Sequence, residues 1–221
     1  SICSKYLDII RSMDQVKVIS IASRTKSKAE KIQKIYGITR VYENYKEMIF
    51  NENLDLIIVL VSVDQIYQVT KDIIKNGITL LIEKPPGLNC TQSRHLSDLS
   101  KKYQTTVFVG LNRRFYSNFR KGIKLAEESG GIKNIIIEGH ERFWKVNNRK
   151  KIVSDNWLYA NSIHTIDLLR FFGGEVKRIS RVKKSVYEKK GDQFLSLVEF
   201  RNGAIGTYFS KRNAPGGRSV K

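Results

Sequence analysis

The chain has 221 residues, 41% hydrophobic and 10% aromatic, so it can bury a core and wholesale disorder is excluded. No apolar run approaches the ~20 residues of a membrane-spanning helix, and the two cysteines, Cys3 and Cys90, are too few for a disulfide framework, which favours a reducing, cytoplasmic setting. Lys and Arg number 40 against 21 Asp and Glu, for a formal charge of +19. That charge favours anionic ligands such as nucleotides, but nucleic acid is not the expected partner because the basic residues are scattered without a recognition pattern.

The first half of the chain alternates short apolar runs with helical patterns. Strands are predicted over 16–22, 54–61, 78–82 and 105–111, and helices over 1–12, 27–36, 65–76 and 91–103. Continuous apolar strands separated by helices are typical of a parallel sheet covered on both faces. Residues 1–112 are therefore predicted to form a Rossmann-like, doubly wound α/β domain.

The second half follows a different pattern. A helix is predicted over 115–129, a strand over 132–143, a polar loop through 156, a helix over 162–172, and strands over 176–187, 193–200 and 204–210. Successive strands joined by short turns indicate a mostly antiparallel sheet. Residues 113–221 are therefore predicted to be an α+β domain for substrate binding and oligomerisation, and an open sheet face there would suit a homodimer or homotetramer.

The start of the chain has the pattern of a dinucleotide-binding helix. Such a site begins with a strand, a Gly-rich turn and a helix whose N-terminus faces the pyrophosphate. Ser1 and Ile2 begin a helix of this kind, but no strand or glycines precede them in this sequence. The expectation is a piece truncated at its start, and also after Lys221, that binds a cofactor poorly as given.

The end of the next predicted strand indicates which cofactor is bound. A carboxylate at this point would bind the ribose hydroxyl of NAD, whereas a cation would accept the 2′-phosphate of NADP. The sequence reads Ser23-Arg24-Thr25, with hydroxyls and a cation but no acid. This favours NADP over NAD, although an ordinary polar turn with Thr25 or Ser27 as helix N-cap would leave the same pattern.

Glu83-Lys84-Pro85 directly follows the apolar strand predicted over 78–82. In a parallel sheet this position lies beside the nicotinamide end of a dinucleotide cleft, and the two prolines restrict the backbone around Lys84. A lysine there could lower the pKa of a substrate hydroxyl. The alternative is a solvated turn pair of Glu83 and Lys84.

Several motifs, taken in order, make the chain similar to the Gfo/Idh/MocA family, the relatives of glucose-fructose oxidoreductase and inositol dehydrogenase. The motifs are the helix opening Ser1-Ile2-Cys3, the strand end Ala22-Ser23-Arg24, Glu83-Lys84-Pro85, the segment VGLNRRF over 109–115, and the segment NSIHTIDLLR over 161–170. Each motif alone is weak, but their order and spacing are specific, and the similarity covers essentially the whole chain.

The resemblance implies an NAD(P)-dependent oxidoreductase that acts on a sugar, cyclitol or nucleotide sugar. Lys84 and His164 would flank the carbon whose hydride moves to nicotinamide, with His164 accepting the hydroxyl proton. Arg113, Tyr159 and Asn161 would help to bind the substrate. The residues expected to line the cofactor are Ser1, Ile2, Ser23, Arg24, Thr25, Val61, Ser62, Glu83, Lys84 and Pro85. No metal site is expected.

The chain departs from the family pattern at three places. Cys3 replaces a glycine of the phosphate-binding turn, Val61-Ser62 replaces a Thr-Pro pair, and Ala160 replaces an acid one turn before His164. Asn161, Tyr159 or Asp167 would then have to orient His164, although Asp167 could equally be a solvated helix charge. The loss of the acid also supports an alternative function, a non-catalytic regulatory protein that keeps the cofactor and sugar sites.

Overall fold

The computed structural model describes residues 1–142, 151–184 and 192–214. The helices are α1 (Ile2–Ile10), α2 (Lys26–Tyr36), α3 (Tyr45–Asn51), α4 (Ile66–Ile73), α5 (Cys90–Lys102), α6 (Ser117–Glu128), α7 (Lys151–Asp155) and α8 (Ile163–Gly173). The strands are β1 (Ser20–Ala22), β2 (Arg40–Tyr42), β3 (Leu56–Val59), β4 (Thr79–Ile82), β5 (Val107–Val109), β6 (Asn134–Glu138), β7 (Val176–Lys184), β8 (Gln193–Phe200) and β9 (Ile205–Lys211). Within these ranges no helix is long and apolar enough to cross a membrane.

The strands form three sheets. In the N-terminal domain β1 pairs with β2, and β3, β4 and β5 pair in that order, all in parallel. In the C-terminal domain the order is β6-β9-β8-β7, where β6 runs parallel to β9 and the other pairs are antiparallel. The predicted fold class, a Rossmann-like parallel α/β domain followed by an α+β domain with a mostly antiparallel sheet, is confirmed.

The N-terminal core lies between the β3-β4-β5 sheet and α4. Its buried side chains are mostly β-branched or Leu, namely Ile57, Val59, Ile66, Ile73, Ile74, Leu80 and Ile82. Residues of alternating position on β3 and β4 face this core because successive side chains of a strand point to opposite faces. The core thus fixes the carboxyl ends of β3 and β4, from which the loops carrying residues 60–65 and 83–89 begin.

The C-terminal core lies between α8 and the inner face of the four-stranded sheet. Leu168 and Leu169 of α8 pack with Ile135, Ile137, Val198, Phe200, Ala204 and Tyr208. Gly139 approaches Thr165 so closely that a Cβ at residue 139 would lie 2.6 Å from the Thr165 hydroxyl oxygen. This close packing fixes the position of α8 on the sheet.

The structure differs from the predictions in several elements. It contains β2 and α3, which were not predicted, and α7 lies within the predicted polar loop. The strand predicted over 16–22 is shorter because only Ser20 to Ala22 pair with β2. The helix predicted over 115–129 is a 3₁₀ turn, Asn112–Phe115, followed by α6.

Two predicted segments lie partly outside the described residues: the end of the strand over 132–143 and the end of the strand over 176–187. The proposed domain boundary after Asn112 falls inside the 3₁₀ turn. That boundary stays a prediction.

Candidate active site

The end of β1 carries the predicted phosphate-binding residues. Ser23 Oγ accepts a hydrogen bond from the Thr25 backbone N–H at 3.2 Å, and Thr25 holds the N-cap position of α2 without a side-chain capping bond. The Arg24 side chain is exposed. An acid does reach this area from the next strand, because Glu43 contacts Lys26 at 3.5 Å. The hydroxyls and exposed guanidinium suit a phosphate group.

The N-terminal turn of α1 is capped by the first residue of the sequence. Ser1 Oγ accepts from the Ser4 backbone N–H at 3.1 Å, and Ile2 is exposed. Cys3 is half-buried, and desolvation raises the pKa of its thiol. The N–H groups at the start of this helix have the chemistry that a pyrophosphate requires, so the residues present fit a dinucleotide.

The loop after β3 contains Val61 and Ser62, which are both exposed. The Ser62 carbonyl accepts from the Gln65 backbone N–H at 2.7 Å and closes a turn directly before α4. The two residues therefore lie at the same sheet edge as the residues that follow β4, where the sequence placed them.

The segment after β4 is anchored to both sides of the domain. The Glu83 backbone N–H donates to the Val59 carbonyl at 3.0 Å, and its carboxylate accepts from the Tyr6 hydroxyl at 2.9 Å and from the Lys84 N–H at 3.2 Å. Pro85 is fully buried. The alternative of a solvated turn pair is wrong for Glu83, because its carboxylate holds another helix.

Lys84 reaches across to the C-terminal domain. Its ammonium donates to the Ala160 carbonyl at 2.7 Å. Ala160 lies in a π-helical turn, Leu158–Ser162, that leads directly into α8, where His164 is the second residue. Such π-helical turns are frequent at functional sites because they displace the helix register. The structure thus brings Lys84 against the segment that carries His164.

Tyr159 and Asn161 belong to the same π-helical turn. Tyr159 is 37% exposed, and its hydroxyl lies 3.9 Å from the Cys90 thiol at the start of α5. Burial raises the pKa of Tyr159, the contact with Cys90 raises it further, and the positive charge of Arg181 on β7 opposes the rise. The sequence prediction missed Cys90 and Arg181. Cys90 follows the Glu83-Lys84-Pro85 loop closely, whereas Arg181 carries no sequence signal.

Trp157, directly before the π-helical turn, is buried. Its ring packs against Phe194 with centroids 5.6 Å apart. It therefore supports the π-helical turn from behind, and Tyr159 is the exposed aromatic side chain of this segment.

The two arginines at the domain crossover have different surroundings. Arg114 forms a two-pronged ion pair with Asp167 of α8, with Nε–Oδ2 and Nη2–Oδ1 distances of 2.6 and 2.5 Å, and the pair raises the pKa of Arg114. Asp167 is thus an ion-pair partner of Arg114 and not a solvated helix charge. Arg113 is half-buried in the same 3₁₀ turn, so the crossover adjoins the His164 helix.

The other two histidines contact aromatic side chains. His95 shares a hydrogen bond with the Tyr67 hydroxyl at 2.8 Å, and His140 packs edge-on against Phe209. In the part of the chain that the structure describes, no group of three or more His, Cys, Asp or Glu side chains is arranged to hold a metal ion.

Two family models match the chain. Residues 2–111 match the model of an oxidoreductase family with an NAD-binding Rossmann fold, and residues 136–221 match the model of the GFO/IDH/MocA C-terminal domain. The fold and the cleft thus define an NAD-binding oxidoreductase architecture. Because both domain models come from the same family, the chain belongs to the Gfo/Idh/MocA oxidoreductases.

Among curated relatives, the chain is 24% identical to the scyllo-inositol 2-dehydrogenase (NAD(+)) of Bacillus subtilis, over 97% of this chain and 65% of the relative. It is 25% identical to a myo-inositol 2-dehydrogenase of Thermotoga maritima, over 93% of this chain and 64% of the relative. The chain therefore spans a little under two thirds of the length of these enzymes. Among solved structures, GenD2 from gentamicin A biosynthesis in complex with NAD shares the fold, with a TM-score of 0.82, 18% identity, and coverage of 100% of this chain and 65% of that one.

Proposed function

We propose that this chain is an NADP-dependent oxidoreductase that transfers a hydride between the cofactor and a hydroxyl or carbonyl carbon of a sugar, cyclitol or nucleotide sugar. The observation that carries the proposal is the 2.7 Å hydrogen bond from the Lys84 ammonium to the Ala160 carbonyl. Ala160 precedes His164 by one helical turn, so this bond supports a cleft that Lys84 and His164 share. The inositol dehydrogenases among the relatives support a polyol substrate.

The reaction assigns separate tasks to the two side chains. A bound nicotinamide supplies the hydride acceptor or donor. The Lys84 ammonium donates a hydrogen bond to the substrate oxygen and stabilises the charge that develops on it. The His164 imidazole takes the proton of the same hydroxyl during oxidation and returns it during reduction.

The remaining side chains of the cleft bind and orient. Tyr159 and Asn161 border the substrate from the π-helical turn, and Arg113 approaches from the domain crossover. Ala160 has no carboxylate to relay a proton. The Arg114–Asp167 pair holds the helix that carries His164.

Support for NADP comes from the side chains after β1. Ser23, Arg24 and Thr25 offer two hydroxyls and an exposed guanidinium, which together can bind a 2′-phosphate. Glu43 is paired with Lys26, so its charge is already matched. NAD stays the alternative cofactor.

The experiment compares Lys84→Met and His164→Ala with the unmodified protein. Hydride transfer is followed on a panel of sugars and inositols, and NADP and NAD binding are followed by nicotinamide fluorescence. We expect each substitution to lower kcat by about 10²-fold or more, as loss of an acid–base group does, while the Kd for the cofactor changes little. The control is Lys101→Met, at an exposed position of α5, which should retain full activity.

A second function is favoured by one observation, the alanine at position 160. A regulatory protein of this fold would bind cofactor and sugar without turnover. The regulatory function would be established by two results together. The protein would bind the cofactor tightly without turning over any substrate of the panel, and neither substitution would change the Kd for the cofactor.

We also propose that two copies associate through the outer face of the C-terminal sheet. Among the described residues, apolar side chains stay exposed together on this face, namely Ile136, Val182, Leu195, Leu197 and Ile205, which are 42–71% exposed. Monomers rarely expose so large a contiguous apolar patch. The face has Lys184 on the β7 edge and Glu138 on the opposite β6 edge, so a two-fold axis along the strands would bring these opposite charges together.

The domain boundary and the compartment complete the proposal. We place the boundary between Asn112 and Arg113, and the protein in the cytoplasm. The free thiols of Cys3 and Cys90 support a reducing compartment.

A further inference from the structure

The side chain of Glu83 joins α1 to the segment after β4 that carries Lys84. The Tyr6 hydroxyl on α1 donates to Glu83 Oε1 at 2.9 Å. The other carboxylate oxygen, Oε2, accepts the backbone N–H of Lys84 at 3.2 Å. Glu83 therefore links α1 on one side to the main chain of Lys84 on the other.

The surroundings of this bridge are tightly packed. A Cβ placed on Gly110 would lie 3.3 Å from the Tyr6 hydroxyl oxygen, 3.4 Å from the Ile82 carbonyl and 3.6 Å from Glu83 Oε1. The Gly110 N–H donates to the Ile82 carbonyl at 2.8 Å, so the backbone of residue 110 is fixed against the sheet. The hydroxyl and the carboxylate have little room to separate.

Tyr6 remains a hydrogen-bond donor at all physiological pH values. Burial and the bond to Glu83 raise the pKa of Tyr6 to about 12. The phenol therefore stays protonated and the bridge persists across the neutral range.

We propose that Tyr6 is a positioning residue for Lys84: through Glu83 it makes the orientation of the lysine depend on the seating of α1 against the cofactor. The idea rests on the proposed oxidoreductase function. Lys84 is held at its backbone by Glu83 and at its tip by the Ala160 carbonyl. Movement at the start of α1 is transmitted to the first of these two anchors.

The test uses Tyr6→Phe, with Tyr45→Phe as the matched control. Tyr45 makes the same kind of bond, from its hydroxyl to Asp72 at 2.9 Å, and burial with that bond also raises the pKa of Tyr45 to about 12. It lies on α3 and contacts α4, not the loop that carries Lys84. Both variants lose one phenol–carboxylate hydrogen bond, so they should lose similar thermal stability.

The two variants differ in the expected kinetics. Tyr6→Phe should lower kcat about tenfold to 100-fold, because small displacements of a catalytic group cost this much, while KM for the sugar changes less than about threefold. Tyr45→Phe should leave both constants unchanged. Glu83→Gln replaces two carboxylate oxygens with a single amide oxygen, so it cannot accept both hydrogen bonds and should show the same loss of kcat. This variant provides the test if Tyr6→Phe folds poorly.

A second measurement does not depend on turnover. Amide hydrogen exchange is followed in peptides covering 1–12 and 80–90, with and without NADP. In the unmodified protein NADP should slow exchange in both peptides, whereas in Tyr6→Phe the slowing should persist in 1–12 and be lost in 80–90.

The outcomes separate this inference from the proposed function. If the unmodified protein turns over and Tyr6→Phe matches Tyr45→Phe in kcat and in exchange, the positioning role is wrong and the oxidoreductase stands. If the unmodified protein transfers no hydride to any substrate, the oxidoreductase fails. The exchange experiment still tests the link between α1 and the Lys84 segment in that case. If NADP still slows amide exchange in peptide 80–90 of Tyr6→Phe, the link is wrong, and if this slowing is lost, the link is supported.

Discussion

In the proposed cofactor site, we expect the choice between NADP and NAD to depend on Arg24. Arg24→Ala should raise the Kd for NADP about tenfold or more, because a charge-assisted hydrogen bond contributes about 1.5–3 kcal/mol and 1.4 kcal/mol is a factor of ten. The Kd for NAD should stay within about threefold, since NAD has no 2′-phosphate. Fluorescence titration with both cofactors provides the measurement. Arg94→Ala, at an exposed position on α5, is the control, and equal losses for NADP and NAD would show that Arg24 does not read the phosphate.

The Arg114–Asp167 pair makes a second prediction at this scale. Asp167 is only 10% exposed at its side chain, so Asp167→Asn leaves a partly buried guanidinium with a weaker partner. We expect the free energy of unfolding to fall by about 1–3 kcal/mol, and the Tm to fall by about 2–4 °C per kcal/mol. Glu199→Gln, which breaks the exposed pair with Arg178, should cost less than about 1 kcal/mol. If Asp167→Asn and Glu199→Gln lowered the Tm equally, the Arg114–Asp167 pair would contribute no more to stability than an exposed ion pair.

The raised pKa of Tyr6, about 12 against 10 for a free tyrosine, makes stability depend on pH in a defined window. Between these values the unfolded chain has lost the phenolic proton and the folded protein has kept it, so stability falls as pH rises. The stabilisation that the Tyr6 hydroxyl provides is complete below about pH 10 and is lost through about pH 12. Denaturant unfolding of wild type and Tyr6→Phe across this range should therefore show a difference that narrows with pH. A constant difference would mean that the phenol titrates normally.

Two helices give opposite expectations for the same substitution of glycine by alanine. At Gly173, the last residue of α8, an added Cβ would overlap the ring of Phe200 in the core. Gly173→Ala should destabilise the protein by about 1–3 kcal/mol, the usual range for an overpacked core. Gly122 lies in exposed α6 with nothing within 4 Å of an added Cβ, so Gly122→Ala should stabilise by about 0.5–1 kcal/mol. Thermal melts measure both, and a stable Gly173→Ala protein would show that Phe200 can move aside.

The elements that could be predicted from the sequence are those with long, regular apolar patterns. The helices α2, α5 and α8 and the strands β3, β4, β8 and β9 begin and end within a few residues of their predictions, because buried faces repeat with a fixed period. The three-residue strand β2 has too few residues to show a period. The π-helical turn before α8 has no sequence signature that distinguishes it from the helix that follows.

The same distinction holds within the candidate site. Motifs pointed to Lys84, His164 and the residues after β1, because each follows a strand end or begins a helix. The partner of each charged group could not be predicted, since Tyr6 meets Glu83 across 77 residues and Arg114 meets Asp167 across 53. Sequence periodicity predicts which face of a helix or strand a side chain occupies, but its hydrogen-bond partner depends on the tertiary fold.

For the whole molecule, the exposed apolar sheet face predicts a concentration-dependent dimer. Leu197→Asp introduces a charge at the centre of this face and, in a dimer, introduces two copies of it. Burial of an unpaired charge costs several kcal/mol, so the dimer Kd should rise by about 10²-fold or more. Analytical ultracentrifugation measures it, with Ile35→Asp on α2, an exposed apolar residue of the other domain, as the control. A wild-type protein that stays monomeric at about 100 μM would rule out this interface, because a dimer that weak lies at the low end of specific association.

The acceptor that Lys84 uses across the cleft belongs to the peptide backbone. Replacing the side chain at position 160 leaves that oxygen in place. Because residue 160 is 1% exposed, substitutions there would test only which side-chain sizes the surrounding core accommodates. The hydrogen bond from Lys84 to this carbonyl should therefore survive most substitutions at position 160. It is vulnerable instead to an inserted or deleted residue upstream of α8, which would turn the oxygen away from the cleft while every side chain of the site was retained.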